Sequence, residues 1–193
     1  MKILITGANG FLGKNLLKKL DNDFFKVLLV VRRIKFYPKN IIVIKDNIGQ
    51  LKKKNLNIIK KFKPEIIINL AWAGIPNYSF RNSIKNFFNH IKFISTLCEL
   101  KSVKKIIMTG SCWEYLPNSG NCKETDRVIP RNEFTWSKIS LLNDLRKITK
   151  LNKINFIWLR IFFMYGKFQK KKSLIPHIIK SLKNNKKPKI ENP

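Results

Sequence analysis

Apolar residues along this chain come in two rhythms that alternate from one end to the other. Residues 2–6 hold an unbroken run, Ile3-Leu4-Ile5, which meets a glycine just after Thr6. Short runs of the same kind recur at 26–31, 41–44, 65–70, 104–109 and 155–160. Continuous runs of this length, rich in Ile and Val, predict strands buried on both faces. Between them the apolar spacing shifts to three and four residues. Phe11, Leu12, Leu16, Leu17 and Leu20 stripe residues 11–20, and Leu51, Leu56, Ile59 and Phe62 stripe 51–62 until Lys63-Pro64-Glu65 breaks the pattern. Ile84, Phe87, Phe88, Ile91, Ile94 and Leu97 do the same across 80–100. Two further helices are expected at 136–149 and 174–182.

Strand and helix therefore alternate for nearly the whole chain, with no internal repeat. That pattern predicts an α/β fold with a parallel sheet covered by helices on both faces. Right-handed crossovers make it a Rossmann-type doubly wound sheet. Residues 1–166 are expected to form this domain. From 167 the character changes: 167–172 is basic, and 184–193 is polar and punctuated by proline.

Composition narrows the class. A hydrophobic share of 44% supplies a globular core. The longest apolar runs, such as 66–71, fall far short of the roughly 18 to 20 residues of a membrane helix, so no membrane partner is expected. The first residues lack the long apolar stretch of a signal peptide. Cys98, Cys112 and Cys122 are odd in number and not closely paired, which points to free thiols and, by elimination, to the cytoplasm. The net charge of +29 invites a nucleic-acid reading. Lys outnumbers Arg 33 to 7, however, and Lys, Ile, Asn and Phe share A/T-rich codons. Arginine is the side chain that reads bases and phosphates bidentately. The excess reads as codon drift on a solvated surface, with no specific nucleic-acid partner. His90 and His177 lack ligand-spaced partners, so no metal is expected.

The chemistry begins at the first turn. Gly7, Gly10 and Gly13 lie between a buried strand and an amphipathic helix, with Ala8, Asn9, Phe11 and Leu12 between them. Gly7 lets the chain leave the strand sharply, Gly10 lets a pyrophosphate approach the backbone, and Gly13 lets helix and sheet pack closely. The helix N-terminus then offers free N–H groups to phosphate. Asn9, Phe11 and Leu12 belong to the same cofactor-binding turn. At the end of the second strand, where NAD-preferring proteins carry a carboxylate, stand Arg32 and Arg33. Two guanidinium groups attract a 2′-phosphate, which favours NADP(H) over NAD(H).

The stretch Thr6-Gly7-Ala8-Asn9-Gly10-Phe11-Leu12-Gly13 resembles the extended short-chain dehydrogenase/reductases of the NAD-dependent epimerase/dehydratase type. Asn69-Leu70-Ala71-Trp72-Ala73-Gly74, Met108 to Tyr115 and Arg160 to Gly166 are similar to later segments of the family, in the expected order. The wording of the last two is closest to nucleotide-sugar 4-ketoreductases. The resemblance implies hydride transfer at a carbon of a nucleotide-sugar substrate. It implies that Asp46 and Asn47 stand at the adenine and that Leu70, Ala71, Ala73, Thr109 and Phe162 line the cofactor. Ser111 is implied to bind the sugar oxygen, and Lys138 to hold the nicotinamide ribose and tune a tyrosine four residues before it. That tyrosine is Phe134 here, which has no proton to give. Three readings stay open. Another donor substitutes (Tyr115, Tyr78, or a water held by Ser111 and Lys138), or the chain binds cofactor as a non-catalytic module, or it is a decayed enzyme fragment. Cys112 and Trp113 stand where dehydratases of the family carry an acidic pair, so dehydration lacks its acid and base. The resemblance also implies that residues 167–193 only begin a C-terminal substrate lobe, largely absent from the chain. Apolar surface left bare beside the cleft leaves a homodimer open.

Overall fold

The computed structural model describes residues 1–20, 24–115, 120–171 and 173–189. Lys172 and residues 190–193 of the expected tail lie outside the described residues. Six strands form one sheet among the described residues: β1 (Lys2–Thr6), β2 (Lys26–Val31), β3 (Ile41–Lys45), β4 (Ile66–Asn69), β5 (Lys105–Ser111) and β6 (Asn155–Ile161). Their order is β3-β2-β1-β4-β5-β6, and every pairing is parallel. The helices are α1 (Phe11–Lys19), α2 (Lys53–Phe62), α3 (Phe80–Cys98), α4 (Glu133–Leu151) and α5 (Leu174–Lys183). This is the doubly wound Rossmann-type sheet that the alternating rhythms predict. No described helix is long and apolar enough to cross a membrane.

The register explains why the strand runs are continuously apolar. Ile3 pairs with Val27 and Ile66, while Leu4 pairs with Leu28 and Ile67. Successive side chains point to opposite faces, so each run feeds two cores. Leu4, Leu28, Ile67, Ile106 and Met108 pack with Ile94, Leu97, Leu141 and Leu145 of α3 and α4. Ile3, Ile5, Val27, Leu29 and Val31 pack with Leu16, Leu17 and Leu20 on the α1 side. Each such side chain stabilises the fold by about 1.5 to 3 kcal/mol through burial.

One boundary differs from the periodicity in a way that matters for the site. The apolar spacing starts the fourth helix at Trp136, whereas α4 begins at Glu133. The Asn132 side chain accepts the N–H of Thr135 at 2.9 Å, and Thr135 Oγ1 accepts the N–H of Asn132 at 3.2 Å. This reciprocal cap satisfies two N–H groups that have no partner within the helix and draws Phe134 into the first turn. The sheet order reverses beside β1, between its neighbours β2 and β4. The crevice at the carboxyl ends of β1 and β4 is where open α/β sheets bind ligands.

Candidate dinucleotide and substrate site

The turn after β1 is shaped by what a side chain would strike. Gly7 sits at φ +74°, and a Cβ there would meet Ala71 N and Leu70 C, both at 2.6 Å. The expected cofactor-lining residues Leu70 and Ala71 are thereby seated against the glycine turn. A Cβ on Gly13 would meet Gly7 O at 2.4 Å and Ala8 Cα at 2.5 Å, so α1 packs onto its own turn. Gly10 is different: its Cβ would approach only Gly7 O, at 3.1 Å. Its missing side chain opens outward. Gly10 is the N-cap of α1, no side chain caps that end, and the first turn holds no acidic residue. Phe11, Leu12 and Gly13 therefore begin the helix with N–H groups that lack intrahelical acceptors, beside the positive end of the helix dipole. A bare backbone mouth and free donors fit a pyrophosphate.

Asn9 turns sideways instead of toward the mouth. Its Nδ2 donates to Arg33 O at 2.8 Å, and its Oδ1 accepts from the Tyr37 hydroxyl at 2.7 Å. This bridge fixes the backbone leaving β2, while Arg32 and Arg33 are exposed. Asp46 is engaged locally as well. Its carboxylate accepts from Asn47 N, Lys52 N and Asn55 Nδ2 at 2.8, 2.9 and 2.6 Å. These donors hold its carboxyl below the ordinary value against the opposing effect of burial. Asn47 caps the 3-10 turn Ile48–Gln50. The pair thus anchors the loop into α2 at the adenine end expected from the resemblance.

On the other side of β1, Asn69 ends β4 between two partners. Its Oδ1 accepts a short hydrogen bond from Thr6 Oγ1, and its Nδ2 lies 2.9 Å from His90 Nδ1. His90 is fully buried on α3, and burial together with the charge of Lys138 drives its pKa down to about 3. Ala73 is pinned by Asn86, which accepts from Ala73 N at 2.9 Å and donates to Ala73 O at 3.0 Å.

The third part of the site joins β5 to α4. Lys138 is 3% exposed, and its Nζ donates to Thr109 O at 2.7 Å. The ammonium lies 3.6 Å from the centroid of Trp72, whose ring stacks on His90 at 5.0 Å. Burial lowers the Lys138 pKa to about 7, opposed in part by Glu114. One helical turn earlier, Phe134 is 5% exposed inside an aromatic box: Tyr78 at 4.7 Å, Trp72 at 6.0 Å and Trp113 at 6.1 Å between centroids. Ser111 ends β5, its Oγ accepts from Trp113 N at 3.2 Å, and its hydroxyl faces the Cys112 thiol as a hydrogen-bond partner. Lys138, one turn after Phe134, is thus bonded to Thr109 two residues before Ser111 ends β5, and only β4 separates β5 from β1 and its glycine turn.

Sequence reasoning missed the support beneath Ser111. Glu114 is fully buried and accepts from Ser111 N at 2.7 Å, Trp158 Nε1 at 2.9 Å and Arg160 Nε at 3.0 Å. Arg160 Nη1 also donates to the Tyr115 hydroxyl at 3.2 Å. Glu114 has room because residue 110 is glycine: a Cβ there would strike Trp158 Nε1 at 2.2 Å and Glu114 Oε1 at 2.4 Å. Phe162 is half exposed beyond β6, its ring 6.1 Å from Tyr115. Past it, Lys167 O accepts from Asn15 Nδ2 at 2.9 Å, so this segment is held to α1. Among the described residues no three His, Cys, Asp or Glu side chains gather as a metal site would require.

Comparison with known proteins bears on this geometry. The model of the NAD dependent epimerase/dehydratase family matches residues 3–192. The dTDP-6-deoxy-L-talose 4-dehydrogenase (NAD(+)) of Aggregatibacter actinomycetemcomitans is 25% identical over 94% of this chain and 68% of its own length. The UDP-N-acetylglucosamine 4-epimerase of Methanobrevibacter ruminantium M1, in complex with UDP-N-acetylmuramic acid, superposes with a TM-score of 0.81 at 21% identity. That alignment covers 96% of this chain and 63% of the epimerase. A UDP-glucuronic acid 4-epimerase of Bacillus cereus has a TM-score of 0.78 at 24% identity, covering 98% of this chain and 65% of its own. It was solved as a tyrosine-to-phenylalanine mutant with UDP-4-deoxy-4-fluoro-glucuronic acid and NAD. The chain spans about two thirds of the length of these relatives.

Proposed function

The chain belongs to the NAD dependent epimerase/dehydratase family, and on that premise we propose that it binds NAD(H) at the Gly7–Gly13 turn and serves hydride transfer at a carbinol or carbonyl carbon of a nucleotide-sugar. The observation that carries this reading is the bond from Lys138 to Thr109 O, two residues before Ser111 ends β5, together with the uncapped N-terminus of α1 one strand beyond β4. A nicotinamide dinucleotide, when bound, supplies the two-electron donor or acceptor. The chain's own residues do the rest. Gly10 and the first N–H groups of α1 receive the pyrophosphate. Leu70, Ala71, Ala73, Thr109 and Phe162 line the path from the phosphates toward the sugar, and Asp46 and Asn47 border the adenine. Ser111 donates its hydroxyl proton to the sugar oxygen while Glu114 holds the backbone beneath it. Lys138, with a pKa near 7, gains or loses a proton at neutral pH, as a relay behind a proton carrier requires. Dehydration is not part of the reading, since Cys112 and Trp113 offer no acid and base pair.

The preference for NADP(H) drawn from Arg32 and Arg33 finds no support among the relatives; the solved epimerase mutant holds NAD. We therefore infer NAD(H), with the arginine pair available to a 2′-phosphate only as exposed side chains. The experiment is titration of the full chain with NADH and NADPH, followed by tryptophan fluorescence. Saturable NADH binding supports the site, and failure to bind either dinucleotide sinks it. A second reading, a dinucleotide-binding module without turnover, is favoured by Phe134. It predicts intact NADH binding and no oxidation of any nucleotide-sugar offered.

A further inference from the structure

We infer that Tyr78 is the proton carrier of this site, its phenol working over the ring that Phe134 leaves without one. The inference rests on the dinucleotide and nucleotide-sugar reading above. Four tyrosines are present, and three are otherwise placed. Tyr37 gives its hydroxyl to Asn9 at 2.7 Å. Tyr115 is 7% exposed, its hydroxyl oxygen accepts from Arg160, and the guanidinium covers its ring at 4.7 Å. Tyr165 is 71% exposed beyond β6. Tyr78 alone packs on Phe134, ring to ring at 4.7 Å and tilted by 54°. It also packs on Trp113 at 5.3 Å, and the Trp113 N–H donates to Ser111 Oγ. The Tyr78 ring is half-buried, and its hydroxyl makes no hydrogen bond to any described residue. A phenol held by two aromatic neighbours, with its oxygen uncommitted, is free to bond a substrate oxygen.

In the oxidising direction the sugar O–H bond breaks and its proton passes to the Tyr78 phenolate, forming the phenol O–H. The carbinol C–H bond breaks as its hydrogen and electron pair leave to the dinucleotide, and the C=O π bond forms. The sugar is oxidised, the dinucleotide is reduced, and the phenol returns its proton to solvent. In the reducing direction each step reverses. The elements around Tyr78 carry Cys112 and Glu114 on the turn after β5, Glu133 and Lys138 in the first two turns of α4, and Arg81, Lys85 and His90 in the first three turns of α3, with His90 stacked on Trp72. Glu114 is neutralised by Arg160 at 3.0 Å and burial keeps His90 uncharged, so a bound NAD+ would add its positive nicotinamide to a site whose buried cation is Lys138.

The test has two arms on the full chain. First, phenolate absorbance is titrated with and without saturating NAD+, in wild type and in Tyr78→Phe. The difference between the two proteins isolates Tyr78. Its titration is expected to move down by about one pH unit or more on NAD+ binding, because a nicotinamide cation brought to this site would favour the phenolate. Second, oxidation of dTDP-6-deoxy-L-talose by NAD+ is followed by absorbance of the reduced dinucleotide. Tyr78→Phe is expected to lose about 100-fold or more in turnover with unchanged NAD+ affinity. The double variant Tyr78→Phe, Phe134→Tyr is expected to recover it. If NAD+ binds and the Tyr78 titration does not move, or if wild type and Tyr78→Phe turn over equally, the assignment of Tyr78 is overturned while the dinucleotide site stands. If NAD+ does not bind at all, the site itself falls, and Tyr78 with it.

Discussion

Replacing Lys138 by Met isolates the cost of burying a charge at the centre of this site. Lys138 is fully enclosed, and its pKa falls from 10.5 to about 7, chiefly because burial penalises the ammonium. The sign of the pH dependence follows from proton counts. Below about pH 7 both folded and unfolded chains hold the proton, and the burial cost is felt in full. Between about 7 and 10.5 the unfolded chain holds the proton and the folded one does not, so stability rises with pH. Above 10.5 neither holds it and the cost is gone. The rise is about 1.4 kcal/mol per pH unit inside the window, or about 2 to 3 kcal/mol between pH 7.5 and 9.5. The full cost below the window is about 5 kcal/mol. Met has similar length and a polarizable sulfur suited to the face of Trp72, and it does not titrate. Urea unfolding of wild type and Lys138→Met, followed by tryptophan fluorescence at the two pH values, measures the difference directly. Other titrating groups cancel between the two proteins. The Met variant's stability relative to wild type is expected to be about 2 to 3 kcal/mol greater at pH 7.5 than at pH 9.5. A stability difference that stays constant across the window would refute the reasoning.

The glycine turn separates fold from ligand. Gly13→Ala forces a Cβ against Gly7 O and Ala8 Cα and is expected to cost about 1 to 3 kcal/mol in thermal or urea unfolding. Gly10→Ala, with only Gly7 O at 3.1 Å in the way, is expected to leave stability within about 1 kcal/mol and weaken NADH binding tenfold or more in the fluorescence titration. Glu114→Gln leaves the Arg160 guanidinium uncompensated; a loss of about 3 to 5 kcal/mol in urea unfolding is expected. Arg32→Ala with Arg33→Ala is expected to leave NADH affinity unchanged and reduce only NADPH affinity, read by competitive titration. Equal loss of both would mean that the pair acts on the fold.

The sheet was legible because its strands are buried on both faces, so apolar runs alone mark β1, β2 and β5. The glycine turn was legible because backbone geometry dictates its residues. Three parts of the site were not. Asn132 is a cap only through its pairing with Thr135, and the apolar stripe that starts at Trp136 is blind to it. Glu114, in a loop-like stretch, gives no sign that Arg160, 46 residues away, will neutralise it. The aromatic box around Phe134 draws Trp72 and Tyr78 from the loop between β4 and α3 and Trp113 from the turn after β5, and only the fold brings them together. The preference for NADP(H) rested on residue type at a strand end, where exposed arginines carry little positional information.

The central place of β1 bears on how the chain acquires its structure during synthesis. Its five residues are made well before one of its two neighbours, β4, which lies more than sixty residues downstream. Glu65 closes that pairing from both sides, donating its N–H to Lys2 O and accepting Lys2 N in its carboxylate. On a ribosome adding about 5 to 20 residues per second, Ile3, Leu4 and Ile5 wait several seconds with one edge unsatisfied. Parallel pairing between distant segments is slow as well. The segment that later supports the ligand turn is therefore an apolar stretch left exposed for seconds on the nascent chain, and a natural one for a chaperone to hold.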